Sequence, residues 1–304
     1  GLPQRVSFHI NALYSFFLAW RDIVFEFLDS KDDPEELQNF VNSWLGEPWE
    51  DTKLKTSAEL VLARQAAETR GTVPEWAELL TAGVDVQENS VYIDIIAVGA
   101  GMTTQSVFHA QLMSLDDIPA YMTAEYSSAS GRKFIVLLCL IDSGDQTDTV
   151  YDFCLQHEWA IACKGVAPNN NHYKISKINR TNARYDGQPL VLVDGSKYKD
   201  MIASRLHQPN GTGSCMVHAD CDAEYAQQLT AEHKVAEGTG ARRRLVWKPK
   251  TSHADNHYLD ARVYATAAAD IRGARSLTAD ITHQKQPEPS KTNEERKSGW
   301  LSGY

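Results

Sequence analysis

The sequence predicts an α/β fold: a mixed central sheet flanked by helices, with a helical segment ahead of it. Three observations lead there. Residues 78–114 alternate apolar and polar positions, rich in β-branched residues and broken by short turns, as consecutive strands do. The run "RKFIVLLCLID" (132–142) is continuous enough to be a strand buried on both faces. The Ala-rich stretch 255–271 has high helix propensity.

In chain order, residues 16–29 carry Phe17, Trp20, Ile23, Val24 and Phe27 at helical spacing, which predicts a docking helix. A second helix is expected over 33–45, opened by Asp33 as N-cap and Pro34 in the first turn and closed by Gly46. A third starts at Ser57 in "SAELVLARQAAET", and Gly71 and Pro74 punctuate the entry to the sheet. Strands at 80–87, 90–99 and 104–114 are joined by short turns and so form an antiparallel meander. A helix over 117–128 leads to the strand 132–142. Then come a helix (147–157), a strand in "WAIACKG", a long polar loop, a strand at 189–194, a helix from Ser196, a strand in "SCMVHA" and the helix 255–271, with Asp255 as its N-cap. Past Gly273 the chain turns polar and aperiodic, which predicts a flexible tail. The expected organisation is a helical linker and packing segment (1–72), a core domain (73–273) and a tail (274–304). Three antiparallel strands, a helix, then a parallel strand followed by a helix is the order of an RNase H-like core.

Composition bounds the function. At 304 residues and 42% hydrophobic the chain can bury a sizeable core. Its longest apolar runs fall well short of the roughly 20 residues of a membrane span, so no membrane partner is expected. Five cysteines, an odd number without framework spacing, suit a reducing cytoplasm. A net charge of −10 argues against a generic nucleic-acid coat, though not against a local basic groove. The chain opens on Gly1 and reads as a piece of a longer polypeptide.

Three acids then stand out. Asp85 sits inside the first strand, flanked by Val84 and Val86, where an ionised carboxylate is costly without a counter-charge. Asp142 ends the central strand, and Asp260 lies on the last helix. An RNase H-like topology brings these three elements together, and three carboxylates in one cleft raise one another's pKa unless a cation intervenes. Hard oxygen ligands favour Mg²⁺ or Mn²⁺. Two such ions about 4 Å apart activate water and stabilise the leaving oxygen of a phosphodiester. Each acid also has a structural reading as turn former or cap, Asp142 ahead of Ser143 and Gly144 especially. Asp94, on the next strand, reads as structural or solvent-facing. Asp145 and Asp148 suit the first turn of the following helix. His257 shares a helical face with Asp260 and reads as an auxiliary ligand or proton carrier.

The stretches "LYSFFLAWRDIVFEFL", "LQNFVNSWLGEPWE", "TAGVDVQENSVYIDIIAVG", "IDSGDQTDTVYDFC" and "NHYLDARVYATAAA", in this order, resemble the nuclease half of the large terminase subunit of tailed bacteriophages, the lambda-type GpA family. The resemblance covers roughly residues 5–272. It implies an RNase H-like nuclease that cuts concatemeric double-stranded viral DNA in the host cell cytoplasm with two divalent ions, held by Asp85, Asp142 and Asp260. It also implies a terminase small subunit, a portal on the procapsid and an N-terminal ATPase domain as partners. No G-x-x-x-x-G-K-[ST] phosphate loop occurs in the sequence, so ATP hydrolysis is not expected of it. The H-x-x-D of His257 and Asp260 also resembles the closing-helix motif of Holliday-junction resolvases.

DNA contacts are expected from the locally basic stretch between Lys164 and Arg205, through Lys174, Lys177, Arg180 and Arg184, with Lys197 and Lys199 in the same run. Arg242, Arg243 and Arg244, before an apolar strand, suggest a hairpin tip at the phosphates; a solvated surface is the alternative in both places. Cys215, His218 and Cys221 are spaced three apart but lack the fourth ligand and paired spacing of structural zinc. Trp159 and Trp247 read as core. Two other functions stay open: a non-catalytic assembly module docking the motor, and an RNase H-like nuclease acting on hybrids or junctions.

Overall fold

The structure, a computed structural model, describes residues 10–31, 34–47, 56–167, 170–237, 244–252 and 254–278. Helices are α1 (Trp20–Ser30), α2 (Pro34–Ser43), α3 (Ala58–Leu62), α4 (Ile118–Met122), α5 (Thr147–Gln156), α6 (Gly195–Leu206), α7 (Ala223–Leu229) and α8 (His257–Ile271). Strands are β1 (Thr72–Val73), β2 (Leu79–Val86), β3 (Val91–Gly99), β4 (Thr103–Leu112), β5 (Tyr126–Ser128), β6 (Lys133–Phe134), β7 (Val136–Asp142), β8 (Ala160–Val166), β9 (Tyr173–Lys177), β10 (Pro189–Asp194), β11 (Cys215–Val217), β12 (Glu232–Glu237) and β13 (Arg244–Pro249). Among these residues the main sheet has the order β11-β4-β3-β2-β7-β8-β10-β9. β2, β3 and β4 form the antiparallel meander, and β7, β8 and β10 run parallel to β2. This is the RNase H-like order.

Alternation along β2 sorts the two faces. Leu80, Ala82, Val84 and Val86 pack into the core that includes Ile118, Met122, Tyr151 and Phe153 of α4 and α5. Thr81, Gly83 and Asp85 therefore face α8 on the other side. β3 is buried on both faces in the same way. α8 lies almost on the backbone of β2: a Cβ on Gly83 would stand 2.1 Å from Ala261 O and 2.3 Å from Ala265 N. Thr81 Oγ1 donates to Ala265 O at 2.9 Å on the same face.

A buried ion pair fixes the rotation of α8. Arg262 Nε lies 2.8 Å from Asp94 Oδ2, both side chains being wholly buried. Ser106 and Tyr225 hydroxyls donate to Asp94 at 2.7 Å each, and Arg262 Nη2 donates to the Tyr225 hydroxyl at 2.9 Å. Asp94 is thus a core residue with a counter-ion, where the sequence left it structural or solvent-facing. Burial pushes its carboxyl up while Arg262 and the two hydroxyls pull it down.

Several elements differ from expectation. The docking face of the first helix packs only in part among the described residues: Phe17 precedes α1, and Phe17, Trp20, Val24 and Phe27 keep large exposed areas while Ile23 is buried. α1 meets α2 through Phe27 and Phe40, 5.6 Å between rings. The third helix stops at Leu62 because the following chain is captured by β11: Gln65 bridges Val217, and Ala66 N–H donates to Val217 O at 2.8 Å. The helix expected over 117–128 ends at Met122, and Tyr126–Ser128 pairs with β1 and β6 in a small separate sheet. The run 132–142 breaks at exposed Ile135, so β6 and β7 belong to different sheets. The polar loop after β8 contains an edge strand, β9, antiparallel to β10. At α8 the N-cap is Asn256, not Asp255. Residues 279–304, most of the expected tail, and Asp33 lie outside the described residues. None of the described helices is long and apolar enough to cross a membrane.

Gly83→Ala forces α8 away from the sheet, an overpacking that should cost about 3 kcal/mol in urea unfolding; a wild-type midpoint would contradict the close approach. Arg262→Met strands the Asp94 charge and should cost ~3–5 kcal/mol, with Asp94→Asn in the same chain recovering part of the loss.

Candidate active site

β2 and β7 lie side by side in parallel, with Gly83 opposite Leu140 and Val84 opposite Ile141. The next residues are Asp85 and Asp142, so the two acids end neighbouring strands on the face that α8 covers. α8 enters over the same edge and places Asp260, adjacent to Ala261 at the Gly83 contact, above them. Asp85 is 4% exposed. Its Oδ2 accepts from Gln87 Nε2 at 2.7 Å and lies 2.9 Å from His257 Nδ1. The His257 ring stacks on Tyr92, 4.4 Å between centroids, and Tyr92 is the cross-strand partner of Asp85 on β3. The bond to Asp85 raises the His257 pKa, against the opposing effect of burial.

The charges feel one another. Burial, then the nearby Asp85 charge, raise the Asp142 carboxyl to about 6, with Asp260 adding to the rise; hydrogen bonds from the Tyr264 hydroxyl and the Gly144 backbone pull the other way. Gly144 is tight here, since a Cβ would come 3.0 Å from Asp142 Oδ2. Capping does not account for Asp142: the N-cap of α5 is Gln146, in the left-handed region at φ 40°. Asp260 is also raised, by burial first, with Lys199 opposing and Asp85 and Glu232 adding.

Two further residues complete the cluster. Lys199, on α6, sends its ammonium to Glu232 Oε1 at 2.7 Å and to Asp260 Oδ1 at 3.1 Å. Asn256 Nδ2 donates to the same Glu232 oxygen at 2.7 Å and to Asp260 Oδ2 at 2.9 Å. Sequence reasoning missed Glu232, which opens β12 on a small ribbon with no local signal, and counted Lys199 only as part of the basic stretch between Lys164 and Arg205. Among the described residues no three His, Cys, Asp or Glu side chains form a ready-made metal cage. The carboxylates are instead held individually by Gln87, His257, Lys199, Asn256 and Tyr264.

Comparison with known proteins bears on what such an edge does. Residues 5–282 match the family model "Terminase large subunit gpA, endonuclease domain". The chain belongs to that family. The large terminase subunit of Enterobacteria phage P21 is 27% identical to it over 327 residues, covering 99% of this chain and 50% of the relative. That of Escherichia phage lambda is 26% identical over 318 residues, covering 96% and 48%. This terminase domain therefore spans about half the length of the curated relatives it matches. Among solved structures, the large terminase nuclease from thermophilic phage G20c with bound magnesium aligns at TM-score 0.41 and 8% identity, over 70% of this chain and 97% of that one. The HK97 bacteriophage large terminase aligns at TM-score 0.34 and 13% identity, over 84% and 51%. Neither likeness is close enough to assign a residue or an ion here.

Apart from Lys199, the basic candidates among the described residues, Lys174, Lys177, Arg180, Arg184 and Arg244, are not gathered with the acids. Ile175 is level with Asp142, through Val191 and Cys163, so Lys174, its neighbour along β9, faces the opposite side of the sheet. Lys177 lies on the exposed edge strand, Arg180 is exposed beyond it, and Arg184 pairs with Asp152 at 2.9 Å. Arg244 pairs with Glu237 at 3.2 Å, while Arg242 and Arg243 lie outside the described residues. Asp148, in the first turn of α5, accepts from the Tyr185 hydroxyl at 2.8 Å. His218 Nε2 meets His109 Nδ1 at 3.1 Å. Burial lowers His109 to about 2 and His218 to about 4, so this is a neutral pair. Trp159 packs into the core, and Trp247 Nε1 donates to Asp200 at 2.9 Å.

The raised Asp142 carboxyl has a signed consequence. The folded chain keeps its proton up to about pH 6, whereas an unfolded Asp releases it near ~3.9. Stability without metal therefore falls as pH rises through that window, and the full penalty is present above it. With chelator present, Asp142→Asn should stabilise the protein by on the order of 2 kcal/mol at pH 8 and by nothing below pH ~4. A gain independent of pH would contradict this environment.

Proposed function

We propose that this domain is a metal-dependent endodeoxyribonuclease that cuts concatemeric double-stranded DNA during viral genome packaging. The supporting observation is the convergence of Asp85, Asp142 and Asp260, from two strand ends and one helix, at one edge of an RNase H-like sheet in a terminase endonuclease domain. The donor set suits a hard divalent ion: the groups are carboxylates, and Asp142 is pushed up to about 6 by burial and by its anionic neighbours, so a cation is favoured there. Asp85, Asp142 and Asp260 are the proposed ligands of two Mg²⁺ or Mn²⁺ ions. Bound there, such ions supply activation of water and stabilisation of the leaving oxygen of a phosphodiester.

The chain's own groups orient and buffer this centre. His257 donates to Asp85, fixing the carboxylate's direction, and holds a proton beside the cleft. Tyr264 and the Gly144 backbone fix Asp142, and Asn256 fixes Asp260. Lys174, Lys177, Arg180, Arg184, Arg242, Arg243 and Arg244 are proposed to contact backbone phosphates. An ATPase domain of the same polypeptide, a terminase small subunit and a portal are the proposed partners, in the host cell cytoplasm. An assembly role has one observation in its favour: Phe16, Phe17 and Trp20 are 101%, 98% and 71% exposed.

Plasmid incubated with the protein and Mn²⁺ should be nicked or linearised. Asp85→Asn should lower that rate by ~100-fold or more, the scale on which single electrostatic groups act in active sites, with thermal stability retained. Undiminished cutting by Asp85→Asn sinks the assignment; no cutting by either protein favours the assembly role.

A further inference from the structure

Lys199 lies in the basic stretch between Lys164 and Arg205, yet its side chain is 12% exposed and turned into the acidic cluster. Its ammonium sits between Glu232, 7% exposed, and Asp260, which come from different elements. Asn256 donates to both carboxylates from the other side. Two acids from β12 and α8 are thus clamped by one cation from α6. Glu232 is itself held in a paired ribbon, where it lies opposite Pro249. α6 grips that ribbon a second time through the next residue, Asp200, which accepts from Lys234 Nζ at 2.7 Å and from Trp247 Nε1 at 2.9 Å.

A buried ammonium has no route to a DNA phosphate without leaving these carboxylates. Nor can it stay if a divalent ion takes the oxygens it bonds, because two cations at the same oxygens repel. We propose that Lys199 is the internal counter-ion of the metal centre and that Glu232 is its fourth carboxylate. This rests on the metal-centre reading above and adds to it. In the metal-free protein the one ammonium offsets part of the charge that Asp260 and Glu232 share. A divalent ion that reaches Asp260 must displace it, so Lys199 sets how much free metal the centre needs. Asp85 and Asp142 do not touch the lysine in the described contacts, so the ion they hold is the one that enters without this competition. The lysine is a positioning residue: its flexible stem lets the ammonium withdraw and return without moving α6.

Mn²⁺ binding to the 304-residue protein, read by electron paramagnetic resonance of free Mn²⁺ and by the Mn²⁺-dependent rise in melting temperature, tests this without relying on cleavage. Lys199→Met removes the competitor and keeps the stem. It should melt lower than wild type in chelator and bind Mn²⁺ roughly tenfold or more tightly, since an opposite charge at this range changes a carboxylate's cation affinity by at least about that factor. Lys199→Arg keeps the competing charge and should bind no more tightly than wild type. Glu232→Gln removes a ligand and should weaken binding; it also decides the matter if Lys199→Met does not fold. Wild-type affinity in Lys199→Met, or in Glu232→Gln, overturns the inference while leaving the metal centre standing if Asp85→Asn loses Mn²⁺. Absence of binding in every protein, Lys199→Met included, overturns both.

Discussion

The closeness of α8 to β2 is the constraint on which the candidate site depends. A helix can lie against a strand with its backbone nearly touching only where the strand carries no side chain, and Gly83 is that place. Asp85 follows two residues later on the same face, and Asp260 precedes Ala261, one of the three helix residues at the contact with Tyr264 and Ala265. The seat that lets the helix descend therefore also sets the separation of the acids. The Asp94–Arg262 pair, in the same interface, supplies the orientation: with Tyr225, Ser106 and Met216 it allows one rotation of α8 about its axis.

Charge balance is the second determinant. Four acids, Asp85, Asp142, Asp260 and Glu232, surround the edge, and the protein provides Lys199 and a His257 whose pKa is raised by Asp85. Asp142 has no cationic partner among its recorded neighbours, and its carboxyl is the one displaced to about 6. The cluster is thus unevenly compensated: Asp260 and Glu232 share Lys199, Asp85 has His257, and Asp142 has no cation beside it among the described residues. Neutral donors supplement the cations throughout: Gln87 on Asp85, Tyr264 and the Gly144 backbone on Asp142, and Asn256 on Asp260 and Glu232.

Much of this was legible in the sequence because it is written in local pattern. The meander, the central strand and the Ala-rich helix announce themselves through period and length, and Asp85 announces itself as a charge in the wrong register. What escaped depends on contacts distant in sequence. Lys199 looks like its basic neighbours until the fold turns α6 towards α8. Glu232 begins a short ribbon strand with no apolar alternation to mark it. Asp94 looked ambiguous for the same reason, its counter-ion lying 168 positions away at Arg262. The third helix ends early because β11 captures Gln65 and Ala66, a competition that helix propensity does not register.

The most direct test of the account is a crystal structure of this domain soaked in Mn²⁺, with the metal located by its anomalous signal. Density is expected bonded to carboxylate oxygens of Asp85, Asp142 and Asp260, with the Lys199 ammonium withdrawn from Asp260. Anomalous peaks elsewhere, or none, with Asp85 still on His257 and Asp260 still on Lys199, would contradict it.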